Sequence, residues 1–167
     1  SYGCHDNYLM GRGVPFDYIT SSLLAFNVTR QVFAGAGKVG IETEDGLKTP
    51  GHYQLAQRSD FFSVISSVDT MHRRPLVNTR DEPHADRRCY RRLHGIVGDA
   101  NMCEYATALK LGTTALVLDC IEQRQVPETL RLKKPVDAVK SISHDDSYAW
   151  KVVRGDGTVV TLSLIHI

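Results

Sequence analysis

Polar and apolar side chains alternate most clearly from Tyr90 to Val97, where Arg92 and His94 share one face of an extended segment that runs into a β-prone apolar tail. Residues 2–10 repeat that pattern, with His5 and Asn7 on one face of a short strand and Cys4, Asp6 and Tyr8 on the other. Gly11 and Gly13 end the strand. Pro15 then suits the first turn of a helix that carries Phe16, Ile19, Leu23, Phe26 and Arg30 at helical spacing. The Ala34-Gly35-Ala36-Gly37 run stops it. Although AGAGK invites a phosphate-loop reading, it lacks the full spacing and precedes a strand-like Val39–Ile41, so a tight turn with glycine at the helix C-cap is expected.

Residues 42–52 are polar and turn-rich, which predicts a hairpin loop, and 54–64 read as a strand with Gln54, Ala56 and Arg58 on one face. A further short strand over 76–80 places Asn78 and Arg80 together. The clearest helix spans 101–123, capped by Asp99 or Asn101. Met102, Tyr105, Leu109, Leu116 and Cys120, with Ala106, Val117 and Ile121 beside them, form its expected core-facing side, and Gly112 is expected to mark close packing. A short helix over 135–142 follows. A hairpin then joins 150–153 to 158–161 through Arg154-Gly155-Asp156-Gly157, where the RGD tripeptide is turn chemistry. No internal repeat or low-complexity linker is present.

With 167 residues, 42% hydrophobic and 23% charged, the composition is that of a globular domain, which excludes the disordered and membrane classes. A net charge of +1 calls for no nucleic acid and no anionic membrane as partner. Cys4, Cys89, Cys103 and Cys120 form no C-x-x-C pair and are expected to be free thiols in a reducing cytoplasm. No stretch reaches the ~20 apolar residues of a membrane span. The chain begins at Ser1 in motif-like sequence, and its last six residues, 162–167, match a sequencing-adapter translation. The expected organisation is therefore an internal piece of a longer enzyme, with one partial catalytic domain over 1–161 and an artefact over 162–167.

Candidate chemistry concentrates in Asn78–Asn101, which holds Arg80, Asp81, Glu82, His84, Asp86, Arg92, His94 and Asp99. A solvated charge run is the plain explanation. The alternative is that the strands pair into one sheet whose concave face carries His5, Asn7, Arg58, Arg80, Arg92 and His94. Guanidinium forks bind phosphate or carboxylate, and imidazoles complete divalent-metal sites beside carboxylates. Mg²⁺ prefers oxygen, so acidic ligands would have to come from elsewhere. The residues alone lead to an anion and metal site on an antiparallel sheet.

Several strings, in order, then resemble the enzymes of pupylation, the Pup ligase and its relative the Pup deamidase/depupylase: SYGCHDNYLM, VTRQVFAGAGKVG, AQRSDFF, RRPLVNTRDEPHAD, YRRLHGIVGDANM and LKLGTTALVLDCIE. The resemblance spans Tyr2 to about Asp145, and the join RLHGIVGDANMCEYATALKLG is similar to that of glutamine synthetase. It implies an α+β fold, a curved antiparallel β-sheet backed by helices forming part of a glutamine synthetase-like catalytic domain, with ATP and Mg²⁺ in its cradle. Carried over by motif, His5 and His94 lie beside the metal, Asn7 and Arg92 touch ATP, and Arg58 and Arg80 face the phosphates or a substrate carboxylate. The family's catalytic aspartate and acidic metal ligands fall before residue 1, so no residue of this chain takes those roles.

Phe61-Phe62, Asp99-Ala100-Asn101 and residues 109–114 look more like the depupylase, while Cys4 and Val28-Thr29-Arg30 sit comfortably in the ligase. Asp6 stands where the family has Glu, and Arg87-Arg88-Cys89 replaces a more acidic run. The resemblance thus implies hydrolysis, with ATP bound, of the side-chain amide or isopeptide bond at the C-terminal residue of Pup. Its partners would be Pup and pupylated proteins, with a functional link to the bacterial proteasome. The alternatives are the ligase, which joins Pup to lysine through a glutamyl phosphate, and an inactive Pup-binding scaffold.

Overall fold

A computed structural model describes residues 3–43, 46–69 and 72–162. Its main sheet contains β1 (Asp6–Gly11), β4 (Phe62–Ser67), β5 (Arg74–Asn78) and β6 (Tyr90–Gly95) in the order β1-β6-β5-β4. β1 and β6 are antiparallel, in register from Asp6 opposite Gly95 to Gly11 opposite Tyr90, and β5 runs antiparallel to β6. The β4–β5 pair is parallel, so the sheet is mixed where an antiparallel one was expected. Helices α1 (Phe16–Thr29), α2 (Gln31–Ala34), α3 (Glu104–Glu122) and α4 (Pro135–His144) complete the α+β architecture with two hairpins, β2 (Lys38–Thr43) with β3 (Gly46–Gln54) and β7 (Lys151–Val153) with β8 (Val159–Thr161).

Two apolar clusters hold these elements together. One joins Met10, Ile19, Leu23, Val77, Leu93 and Ile121 beneath β1 and β6, and the other joins Val28, Phe62, Leu76, Ile96, Ile142 and Val152 beneath β5 and α4. Burying such side chains stabilises the fold by about 1.5–3 kcal/mol each. Leu162, the first of the six residues set aside above, is fully buried in the second cluster, while residues 163–167 lie outside the described residues. Among the described residues no helix is long and apolar enough to cross a membrane, and the four cysteines are free thiols.

Several local expectations are corrected. The predicted loop over 42–52 is mostly strand: pairing extends to Thr43 opposite Gly46, and the connecting residues 44–45 lie outside the described residues. A two-stranded hairpin lying mostly toward solvent has no apolar alternation to read. The predicted strand over 54–64 is broken after Gln54 and resumes at Phe62, with a 3-10 turn at Ser59–Phe61 between. Asp60 in that turn accepts hydrogen bonds from the Glu42 backbone N–H (2.9 Å) and Gln54 Nε2 (2.8 Å), and pairs with Lys38 Nζ (3.2 Å) and His144 Nε2 (2.7 Å). Four partners from three segments outweigh the weak local strand preference.

The helix over 101–123 starts later than predicted and has Cys103 at its N-cap without a side-chain cap bond. Asp99 and Asn101 are engaged elsewhere, Asn101 donating to the Ala34 carbonyl at 3.1 Å. The buried side of α3 is Lys110, Thr114, Leu118 and Ile121, whereas Met102, Tyr105, Leu116 and Cys120 are exposed. A buried carboxylate beneath β1 recruits the polar residues inward. Gly112 has nothing within 4 Å of the place its Cβ would occupy, so it marks no close packing among the described residues. Gly35 does, because a side chain there would collide with the Leu55 and Gln31 carbonyls.

The Asp60 cluster supplies a pH prediction. Its carboxyl is held below the ordinary value of 3.8: burial works against this, and the bonds from Glu42, Gln54, His144 and Lys38 prevail. A carboxylate with a depressed folded-state pKa adds stability above its unfolded value and loses it as pH falls through the folded one. The wild type should therefore lose urea resistance below about pH 4 more steeply than Asp60→Asn. Parallel acid profiles for the two chains would refute the assignment.

Candidate functional site

The register of β1, β6 and β5 places His94 at the centre of the sheet face, opposite Asn7 on one side and Asn78 on the other. His5, one residue before β1, shares the face with Asn7. Its Nδ1 lies 3.1 Å from His94 Nε2, with the rings edge-on at 5.0 Å between centroids. Arg92, two residues from His94, opens on the same face opposite Leu9, and its backbone N–H donates to Asp81 Oδ1 at 3.1 Å. The period-2 spacing thus brings His5, Asn7, Arg92 and His94 together as expected.

Arg58 and Arg80 arrive differently. Arg58 is not on a strand but precedes the 3-10 turn, and it is 7% exposed. Its guanidinium lies so close to Gly3 that any side chain there would overlap it. Arg80 lies just past the end of β5, with its N–H donating to Asn78 Oδ1 at 3.0 Å and its exposed guanidinium on Glu82 at 2.9 Å. Both nevertheless contribute to the electrostatics of the imidazoles. Burial lowers the pKa of His5 and the charge of Arg58 lowers it further; burial, then His5, Arg92 and Arg80, lower that of His94. Neutral imidazoles inside a ring of guanidiniums suit an anionic ligand.

The donor set does not suit a metal by itself. No group of three or more His, Cys, Asp or Glu side chains that could hold an ion occurs among the described residues, and His5 and His94 direct a nitrogen at each other. The neighbouring acids are engaged: Asp81 with Arg12 at 3.0 Å, Glu82 with Arg80, and Asp86 with Arg88 at 3.0 Å. Two nitrogens without a carboxylate are a poor match for Mg²⁺.

Sequence reasoning missed the layer beneath. Asp6, between His5 and Asn7 but on the opposite face, is buried with its Oδ2 3.8 Å from Arg30 Nη2 and its Oδ1 3.8 Å from Lys110 Nζ; Cys4 Sγ donates to Oδ1 at 3.3 Å. Lys110 also donates to the Asp99 carbonyl at 3.0 Å, and Asp99 Oδ2 accepts from the backbone N–H groups of Ala36 (2.9 Å) and Gln57 (3.0 Å). Gly98 leaves room for this cluster, since a Cβ would sit 2.8 Å from Arg30 Nη2 and 3.2 Å from Asp6 Oδ2. The strand that bears Asn7 and follows His5 is thereby tied to the loop bearing Arg58. The one readable signal was an aspartate alternating with two candidate ligands.

Comparison with known proteins gives a consistent picture. The sequence profile described as Pup-ligase protein matches residues 1–166. The chain is 53% identical over 162 residues to the depupylase of Acidothermus cellulolyticus, covering 96% of this chain and 31% of that protein. It is 47% identical over 166 residues to the Pup–protein ligase of Nakamurella multipartita, covering 97% and 35%. Among solved structures, it resembles the Pup ligase PafA in complex with ADP with a TM-score of 0.83 and 43% identity, over 99% of this chain and 35% of that one. The chain therefore spans about a third of the length of the relatives it matches.

Proposed function

The chain belongs to the Pup-ligase protein family, and from that membership we propose that it is part of an ATP-dependent Pup deamidase/depupylase, with the ligase as second reading. The observation that carries the proposal is the meeting of His5, His94 and Arg92 on one sheet face, with Arg58 and Arg80 acting on those imidazoles. Relatives named depupylase or Pup deamidase/depupylase at 49–53% identity support the hydrolase reading, and those named Pup–protein ligase at 44–49% keep the ligase as the second reading. Pup and pupylated proteins are its proposed partners, the bacterial proteasome its functional neighbour, and the cytoplasm its place of action.

In this reading Arg92 and Asn7 contact ATP, and Arg58 and Arg80 face its phosphates or the substrate carboxylate. Their forks hold oxyanions in fixed orientation and disperse charge that develops on oxygen during attack on the amide. ATP, when bound, supplies the polyphosphate that these guanidiniums neutralise. Since the imidazoles have no oxygen-donor partner among the described residues, no step is assigned to Mg²⁺ here, and its remaining ligands are assigned to other parts of the whole protein. No residue of this chain is assigned as the carboxylate that acts on the carbonyl.

The test uses a whole protein containing this segment. With ATP present, Pup ending in glutamine should release ammonia and a pupylated protein should release its lysine, without ATP consumption matching bond cleavage. One ADP formed per new Pup–lysine bond would replace this reading with the ligase. Neither reaction, with Pup still bound, would indicate a scaffold. The 167-residue chain alone is expected to turn over neither substrate; measurable turnover would refute the assignment of the reactive carboxylate to another segment.

A further inference from the structure

Helix α3 turns an uncharged side to solvent. Between Tyr105 and Leu116 its exposed residues are Tyr105, Ala108, Leu111, Gly112, Ala115 and Leu116, with Tyr105 77% and Leu116 69% exposed. The hydroxyls of Thr107, Thr113 and Thr114 are spent on the helix itself, donating to the carbonyls of Cys103 (3.1 Å), Leu109 (2.7 Å) and Lys110 (2.6 Å). Charged side chains stand only at the two ends, Glu104 in the first turn and Asp119 and Glu122 in the last, apart from Lys110, which faces inward to Asp6 and the Asp99 carbonyl. A surface helix carries its charges on the side away from the core, whereas one that is apolar outside as well is enclosed by further protein.

This outer side also has relief. Gly112 has nothing within 4 Å of the place its Cβ would occupy, and with Ala108 one turn before it and Ala115 three residues after it forms a shallow seat. Tyr105, Leu111 and Leu116 stand around that seat. Helices pack by setting a ridge of one into a groove of the other, and two backbones approach most closely where the side chains between them are small. Glycine is a poor helix former, and no contact among the described residues offsets its presence here.

We propose that the seat centred on Gly112 is a helix-docking surface, occupied by an apolar helix from the part of the whole protein outside this chain. The chain covers only 31% and 35% of two relatives it matches, so the same polypeptide has ample length to supply that helix and no second molecule is required. The opposite side of α3 holds Lys110 against Asp6, and α3 therefore connects the docked helix to the charged layer beneath His5 and Asn7. The inference rests on reading the chain as part of a longer enzyme and concerns how that enzyme is assembled.

Cys120, one turn beyond Leu116 on the same side and exposed, is a natural probe. In a whole protein containing this segment it should react with a charged thiol reagent about tenfold or more slowly under native conditions than in unfolding urea, as read by mass-spectrometric peptide mapping. In the 167-residue chain it should react freely. Gly112→Leu separates the two proteins by sign. Better helix propensity should raise the melting temperature of the chain, and the filled seat should lower that of the whole protein by several degrees. A Cys120 thiol as reactive in the native whole protein as in urea would overturn the proposal, as would a Gly112→Leu whole protein no less stable than the wild type. Protection that disappears as the whole protein is diluted from dimer to monomer would assign the face to a second copy and overturn it equally. None of these failures touches the ammonia-release test of the Pup reading, which is read from product alone.

Discussion

Replacing Lys110 by methionine should destabilise the chain by about 3–5 kcal/mol, because it leaves the buried Asp6 carboxylate with one cation where it now has two. Both partners are almost fully buried, and methionine fills the aliphatic space of lysine while removing its charge. The lysine also holds the Asp99 carbonyl, so that bond is lost as well. Urea denaturation at neutral pH provides the measurement, with an unchanged slope required for the comparison to stand. Asp6→Asn combined with Lys110→Met should recover part of the loss, since the pair is then removed together. A loss below about 1 kcal/mol would mean that Arg30 balances Asp6 unaided. Because Asp6 is flanked by His5 and Asn7, the same substitution should loosen the candidate site.

Asp99→Ala is expected to cost about 1–3 kcal/mol through the loss of two part-buried bonds, from the backbone N–H groups of Ala36 and Gln57. Those amides should exchange with solvent much faster in the variant, and Arg58, the next residue after Gln57, should lose its fixed position. Asp99→Asn keeps an acceptor oxygen and should cost far less. The two substitutions also differ in pH response. Burial raises the Asp99 pKa, with the Ala36 and Gln57 bonds and the charges of Arg58 and Arg30 opposing it. A carboxyl with a raised folded-state pKa contributes its full stability below the unfolded value and loses it as pH rises through the folded one. The wild type should show that decline above about pH 4, and Asp99→Asn should not. Equal exchange rates at Ala36 and Gln57 in wild type and Asp99→Ala would refute this role.

Much of the site was legible because strand periodicity is local. Side chains two residues apart must share a face, so the pairs His5 with Asn7 and Arg92 with His94 could be read without knowing which strands were neighbours. Arg58 defeated that rule, since the strand it was assigned to is interrupted by bonds to Asp60 and Asp99 from distant segments. Arg80 defeated it because β5 stops at Asn78, whose side chain takes the Arg80 backbone N–H. For α3, helical periodicity located the element correctly, but its broad apolar face was read as the buried one. Ile121 is buried as expected, but Lys110, Thr114 and Leu118 make up the rest of the buried side.

By itself the sequence determined the family and, through that resemblance, the α+β class, while the polar face of β1 and β6 follows from residue type and short-range spacing. Only the tertiary structure decided that β4 and β5 run parallel, that the two histidines pair with each other, and that Arg58 is buried where the charge of Asp99 acts on it. It also decided that Asp6, Arg30, Lys110 and Asp99 form a charged layer under the site. The physical reason is range. Alternation and capping are properties of a few consecutive residues, whereas the balance of the buried Asp6 charge depends on residues 24 and 104 positions away, which no local pattern records.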